Sequence, residues 1–380
     1  MLTSKEAKIK IPGYALAFVA FLATFCFLQF AYPYHLIRRE QMNLFVYDWD
    51  YIFQNFRGTA WLSRFMASFF EQFFRVPVIG ALIVALLLTG IGVVTYRICR
   101  KFLGKRVSLV IAALIFIWSF LRECGNLYVT RYTIVVLGFL SLVLLALQFS
   151  EVWKKVVSGI LLLCAGAWAL GAPCHSDYGK LWGVPMFDYE KMIALDAETA
   201  KGNWDKVLKI SEKDLHMVEA SYCYNLALAM TGQLGDRLFD HSQGDPYDFI
   251  LMVTGEQTIF TNCLAGELWY QLGDMIIAEQ SAITSLQASP EHTGARFIER
   301  LARVNLITGQ EATAQKYLNL LSKTLFYGKW AGRMLEGHLT DEDSSWIRRC
   351  RANMATSDFV HLTDAPPPPC HSPEFAGSQS

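Results

Sequence analysis

The stretch VPVIGALIVALLLTGIGVVTY, Val76 to Tyr96, runs for 21 residues without a charge. At 1.5 Å per residue, a helix of that length crosses a hydrocarbon core of about 30 Å. Similar apolar runs lie on both sides of it, over residues 11–34, 105–121, 132–150 and 156–172. Five such runs in the first half predict an all-α protein that begins with a bundle of about five transmembrane helices. The first run follows Lys5, Lys8 and Lys10. It is too long for the apolar core of a signal peptide, and Tyr32-Pro33-Tyr34-His35 is a poor small-residue cleavage site, so it reads as an uncleaved anchor. Gly90-Ile91-Gly92, inside the opening stretch, reads as a packing feature between helices.

Charge divides the chain where the apolar runs stop. The formal net charge is zero over 380 residues, and 53% of the residues are hydrophobic. Residues 1–173 hold 17 Lys and Arg against 7 Asp and Glu, whereas residues 174–380 hold 17 against 27. This predicts a transmembrane domain over 1–173, a soluble helical domain over 174–355 and a disordered tail over 356–380. If the N-terminus is cytoplasmic, the inner segments 1–10, 97–106 and 151–155 carry ten Lys and Arg, and the longer outer loops 35–75 and 122–131 carry seven. That bias follows the retention of Lys and Arg inside. An odd number of crossings then places residues 174–380 outside the cytoplasm.

The first outer loop is more patterned than a connector. Residues 61–74 repeat apolar pairs every four positions, with Ser63, Arg64, Ser68, Glu71, Gln72 and Arg75 opposite them. This predicts an amphipathic helix in the membrane interface. Upstream stand Arg38, Arg39, Glu40 and Gln41, then Asp48 and Asp50 among aromatic residues. A carboxylate just outside a first span is where multi-pass enzymes acting on lipid-linked sugars keep a catalytic base. Asp48, Asp50 and Glu40 are therefore the candidate catalytic residues, and such a glycosyltransferase-like enzyme is the alternative functional reading. Arg122, Glu123 and Arg131 read as charges at helix ends.

From Phe187 onward, apolar residues recur at helical steps and glycines interrupt at Gly202, Gly232, Gly273 and Gly309. In the unit turning at Gly273, Gly266 lies seven before, Ala278 five after and Pro290 seventeen after. The following unit has Ala302 and Ala314 at equivalent places and Phe326 where the proline falls. This spacing approaches the 34-residue tetratricopeptide pattern, with small residues where helices cross. The expectation is a degenerate tetratricopeptide-like stack, with an unrelated helical bundle as the simpler alternative. Such stacks hold a protein or peptide partner on a concave face, so the leading reading is a membrane-anchored interaction module.

Several segments resemble an uncharacterised family of bacterial multi-pass membrane proteins. They are Glu40-Gln41, the Phe69 to Phe74 run, Pro77 to Ala81, Asn225 to Ala229 with Gly232-Gln233-Leu234, Asn305 to Gly309, and Thr324 to Ala331. The resemblance covers most of residues 30–331. It implies architecture and a bacterial envelope location, and no reaction. Together with the Lys and Arg bias and the odd number of crossings, the expectation is a multi-pass inner-membrane protein whose C-terminal domain is periplasmic.

No metal or cofactor site emerges. Nine cysteines show no CxxC pairing. The repeated Pro-Cys-His-Ser at 173–176 and 369–372 leaves a zinc site or a Cys174–Cys370 disulfide as minor possibilities. HExxH, P-loop, GxSxG and dinucleotide-binding motifs are absent. No basic patch with interleaved aromatics points to nucleic acid. The near absence of charge inside the apolar runs argues against a transport role.

Overall fold

The computed structural model describes residues 13–125, 130–171, 184–215, 217–240, 259–289 and 292–354. Among these residues there are 18 α-helices and no strand. The first, α1 (Gly13–Cys26), continues through a π-helical turn (Phe27–Ala31) until Pro33 ends it. The chain then bends by 78° into α2 (Tyr34–Gln41). Next come α3 (Trp49–Asn55), α4 (Trp61–Glu71) with a 3-10 turn (Gln72–Arg75), α5 (Pro77–Cys99), α6 (Lys105–Glu123), α7 (Thr130–Ala146) and α8 (Val152–Leu170). Pro77 opens α5 at its first turn, where a missing N–H costs nothing. Helix α5 is the hub of this half and packs on α1, α6 and α7. Leu28, Phe74, Val84, Leu88 and Ile91 are fully buried along it. Gly92 lies against Phe116 of α6 and Gly90 against Leu137 of α7, as a packing role requires.

Five spans were expected, and the helices support a smaller number. Among the described residues, only α5 and α8 are long and apolar enough to cross a bilayer, or three elements if α1 and α2 form one bent span. The expected 11–34 span stops being straight at Pro33. The expected 105–121 span becomes α6, and every 18-residue window of that helix contains three of Lys105, Arg106, Arg122 and Glu123. The expected 132–150 span becomes α7, which is only 17 residues long.

A helix forms over 61–71 and tightens afterwards, but it does not leave its polar side open. Helix α4 packs against α7 and α8, and Ser63, Ala67 and Glu71 are buried. The Ser63 hydroxyl donates to the carbonyl of Leu170, and Ala60 N donates to the carbonyl of Trp168 at 2.7 Å. Its phenylalanines are covered as well, since Phe45 meets Phe65 and Phe69 edge-on at 5.5 Å.

The second half contains α9 (Phe187–Ala200), α10 (Trp204–Ser211), α11 (Val218–Met230), α12 (Leu234–Arg237), α13 (Ile259–Leu272), α14 (Met275–Ala288), α15 (Ala295–Thr308), α16 (Glu311–Ser322), α17 (Gly328–Leu335) and α18 (Asp341–Asn353). Neighbouring helices pack in pairs, most extensively α13 with α14 and α15 with α16. All four glycines read as turns from the sequence adopt positive φ, at 70°, 73°, 94° and 77° in chain order. That left-handed conformation ends a helix at little cost only for glycine. Ala278, Ala302 and Ala314 are fully buried. Pro290 lies outside the described residues, and Phe326 packs on Phe73. The turn glycines at 202, 232, 273, 309 and 337 are unevenly spaced, so no fixed 34-residue period is present.

Gly266 shows why α13 and α14 approach so closely. A Cβ there would stand 2.1 Å from Ser281 Oγ and 2.6 Å from Ser281 Cβ. Gly266→Ala is expected to destabilise the protein by roughly 1–3 kcal/mol, the usual range for overpacking. Adding Ser281→Gly should recover part of that loss in a thermal unfolding assay. No recovery would mean that the two helices are not in register at this point.

The two halves share a core. Leu44 and Val46, with Tyr51 beside them, join Ala295, Ile298, Leu318, Leu321 and Ala331 in one buried cluster. Tyr47 N donates to the carbonyl of Lys323 at 2.8 Å, and Ala295 N to that of Asn43 at 3.0 Å.

Candidate functional site

Helix α2, Tyr-His-Leu-Ile-Arg-Arg-Glu-Gln, looks like a surface helix by composition, yet it is wedged between the halves. It packs against the 3-10 turn, α4 and α5 on one side and against α9 and α15 on the other. Its N-cap is Pro33, which has no side-chain acceptor for the free amides of the first turn. Glu190 of α9 supplies that acceptor from more than 150 residues away, taking hydrogen bonds from Tyr34 N and, at 3.0 Å, from His35 N. A carboxylate there also meets the positive end of the helix dipole. Burial nevertheless raises the Glu190 pKa to about 7. Buried His35 is held well below its usual 6.5 by desolvation first and by Arg39 second.

The other charges of α2 are matched one by one. Arg39 pairs with fully buried Glu123, and Arg39 Nη2 donates to the Glu123 carbonyl at 2.7 Å. The Thr133 hydroxyl donates to the other Glu123 oxygen at 2.6 Å. Glu40 accepts from the Tyr327 hydroxyl at 2.8 Å and lies 3.8 Å from Arg75. Burial outweighs both contacts and raises the Glu40 pKa to about 7. Gln41 Oε1 accepts from Arg296 at 3.2 Å. Arg296 also pairs with Asp196 and reaches Glu267 at 3.5 Å, and Arg300 pairs with Glu267 while lying over the Tyr270 ring at 3.6 Å. Arg38 differs from these residues. Its guanidinium lies over the rings of Tyr189 and Phe260, at 5.4 and 5.5 Å, with no carboxylate partner among the described residues.

A cavity opens on each flank of α2. The first, of about 460 Å³, is lined by His35, Arg38 and Arg39 of α2 together with Arg64, Glu71 and Arg131. The second, of about 670 Å³, is lined by Glu40 and Gln41 with Arg296, Arg300, Arg303 and Trp346. Both fall in the size range of small-molecule sites, roughly 300–1,000 Å³.

The three acids singled out from the sequence have separate fates. Glu40 is buried and lines the second cavity. Asp48 caps α3, accepting from Asp50 N at 2.9 Å and Tyr51 N at 3.2 Å, and it also pairs with Lys323. Asp50 is exposed in the first turn of α3. Neither Asp48 nor Asp50 lines either cavity. Arg38, Glu123, Arg131 and Arg296 were missed as site residues. The available signal was the presence of arginines in outer segments, against the general bias. Among the described residues, no group of three or more His, Cys, Asp or Glu is arranged to hold a metal ion. Cys174 and Cys370 lie outside the described residues.

A family of unknown function (DUF6057) matches residues 7–177 and 175–370. The chain belongs to DUF6057. That membership extends over both halves and the wedge between them, and it brings no assigned activity. No curated protein and no solved structure matches the chain.

Proposed function

We propose that this DUF6057 member is a membrane-anchored binding protein of the cell envelope, with its C-terminal helical half outside the cytoplasm. The observation that carries this reading is the wedge. Residues 34–75 and the C-terminal half share a core and hydrogen bonds, so both stand on one side of any bilayer the chain crosses. The number of crossings between them is then even. Helix α8 needs a bilayer partner, because only 6% of its apolar window is buried by protein. If α1 also crosses, Lys5, Lys8 and Lys10 share the opposite side with Arg97, Arg100, Lys101, Lys105 and Arg106. Retention of that basic set inside directs the helical half outward.

The paired helices with glycine turns support a tetratricopeptide-like stack, the kind of surface that holds a helix. Here α2 already occupies part of it, so the surface left for a partner is the seam between the halves with its two cavities. The enzyme reading with Asp48 or Asp50 as base needs a carboxylate free to take a proton at a cavity, and the capping role of Asp48 works against it.

Orientation is tested with a phosphatase that is active only outside the cytoplasm. Fused after Met354 it is expected to be active, and fused after Gly104 inactive. The opposite pattern would overturn the proposed side of the helical half.

A further inference from the structure

The second cavity is walled by arginines that rest on rings. Arg75 lies over the ring of Tyr327 at 4.3 Å, Arg300 over that of Tyr270 at 3.6 Å, and Arg303 over those of Trp330 and Trp346 at 4.7 and 4.9 Å. All three arginines line the cavity. A ring holds a guanidinium by its face, whereas the N–H donors point outward in the guanidinium plane. Stacking therefore fixes the group without using the donors that a ligand would take.

Those donors are committed unequally. Arg296, Arg300 and Arg303 follow one another along α15 at helical spacing, so they share a face. Arg296 is committed to Asp196, Gln41 and Glu267. Arg303 gives Nε and Nη2 to Glu299, at 3.0 and 2.7 Å. Arg300 gives Nη2 to Glu267, but its Nη1 is buried with no hydrogen-bond partner. Arg349 of α18 lines the same cavity, is exposed, and makes no ion pair among the described residues. A buried donor on a charged group is costly to leave unmatched. The acceptor that suits a guanidinium edge best is an oxyanion with two oxygens side by side.

We propose that the cavity beside Arg300 and Arg349 binds the carboxylate or phosphate group of a small molecule. The proposal rests on the reading of the seam as the binding surface and names a ligand class for it. At about 670 Å³ the space is larger than a lone anion needs, so the oxyanion is one end of a larger ligand. Arg300 Nη1 and the Arg349 guanidinium are its contacts.

The test uses the full chain in a zwitterionic detergent, with calorimetric titration of three probes. These are citrate, pyrophosphate and, as a neutral control, glucose. The expected result is saturable binding of at least one of the two anions, weakened by added salt, and no binding of glucose. Arg300→Gln and Arg349→Gln should each weaken that binding by roughly tenfold, the worth of one hydrogen bond to a charged group. Arg349→Gln should leave the unfolding temperature of the free protein nearly unchanged, because its side chain is exposed and outside any ion pair among the described residues. Arg38→Gln, at the first cavity, should bind like the parent. Tighter binding of citrate identifies a carboxylate ligand, and tighter binding of pyrophosphate a phosphate ligand. The proposal is overturned if neither anion binds, or if Arg300→Gln and Arg349→Gln both bind like the parent. If Arg300→Gln misfolds, Arg349→Gln alone decides. Detergent removes sidedness, so failure here is distinct from failure of the fusion experiment.

Discussion

Arg296→Ala is expected to cost roughly 3–5 kcal/mol of stability, the range for breaking a buried ion pair from one side. The Arg296 side chain is 13% exposed, and the carboxylates it serves, Asp196 and Glu267, are 3% and 2% exposed. Glu267 keeps Arg300, whose pairing helps hold its pKa below the usual range despite burial. Asp196 loses its ion-pair partner altogether and stays buried on α9. The loss also removes the hydrogen bond to Gln41, one of the ties between α2 and the helical half. Unfolding of the full chain in detergent measures the effect. Adding Asp196→Ala should return part of the loss, since the orphaned charge is then gone. A cost below about 1 kcal/mol for the single change would show that the pair is solvated and that α2 is held by apolar contacts alone.

The second large effect is a dependence on pH, with the protein more stable at pH 6 than at pH 8. Glu40, Glu71 and Glu190 are all raised from 4.5 to about 7, chiefly by burial. Between pH 4.5 and 7 the unfolded chain ionises these groups while the folded chain keeps them protonated. The folded state therefore binds more protons, and its stability falls as pH rises through that window. Their contribution is fully present below 4.5 and lost above about 7. His35 acts in the opposite sense below 6.5, because the unfolded imidazole protonates and the buried one does not. Three carboxyls against one imidazole leave a net gain on acidification. Thermal midpoints at the two pH values measure it. A chain carrying Glu40→Gln, Glu71→Gln and Glu190→Gln should lose most of the slope. An unchanged slope would place the titrating groups elsewhere.

Legibility of the sequence tracked how local each signal is. The glycine turns were readable because a helix end and the residue after it are neighbours in the chain. Gly266, Ala278, Ala302 and Ala314 were readable because small residues within helical patterns mark close packing. The span count was not, because apolarity by itself ignores where a helix starts and stops. Lys105 and Glu123 lie inside α6, and α7 ends at Ala146. The polar side of α4 was read as facing water because nothing local indicates that α7 and α8 cover Ser63 and Glu71. Helix α2 was the hardest to read. Three of its polar side chains find partners far away in sequence: Arg39 at Glu123, Gln41 at Arg296 and Glu40 at Tyr327. A charged helix with distant partners has the composition of a solvated one. Of the three acids expected from the sequence, Glu40 alone lines one of the two cavities.

The borrowed cap at the start of α2 also sets an order of events during synthesis. Tyr34 leaves the ribosome 156 residues before Glu190. At 5–20 residues per second, that interval is on the order of 10–30 s. Throughout it, the amides of the first turn of α2 lack the acceptor they have in the folded chain. The start of α2 is therefore completed only when α9 is made.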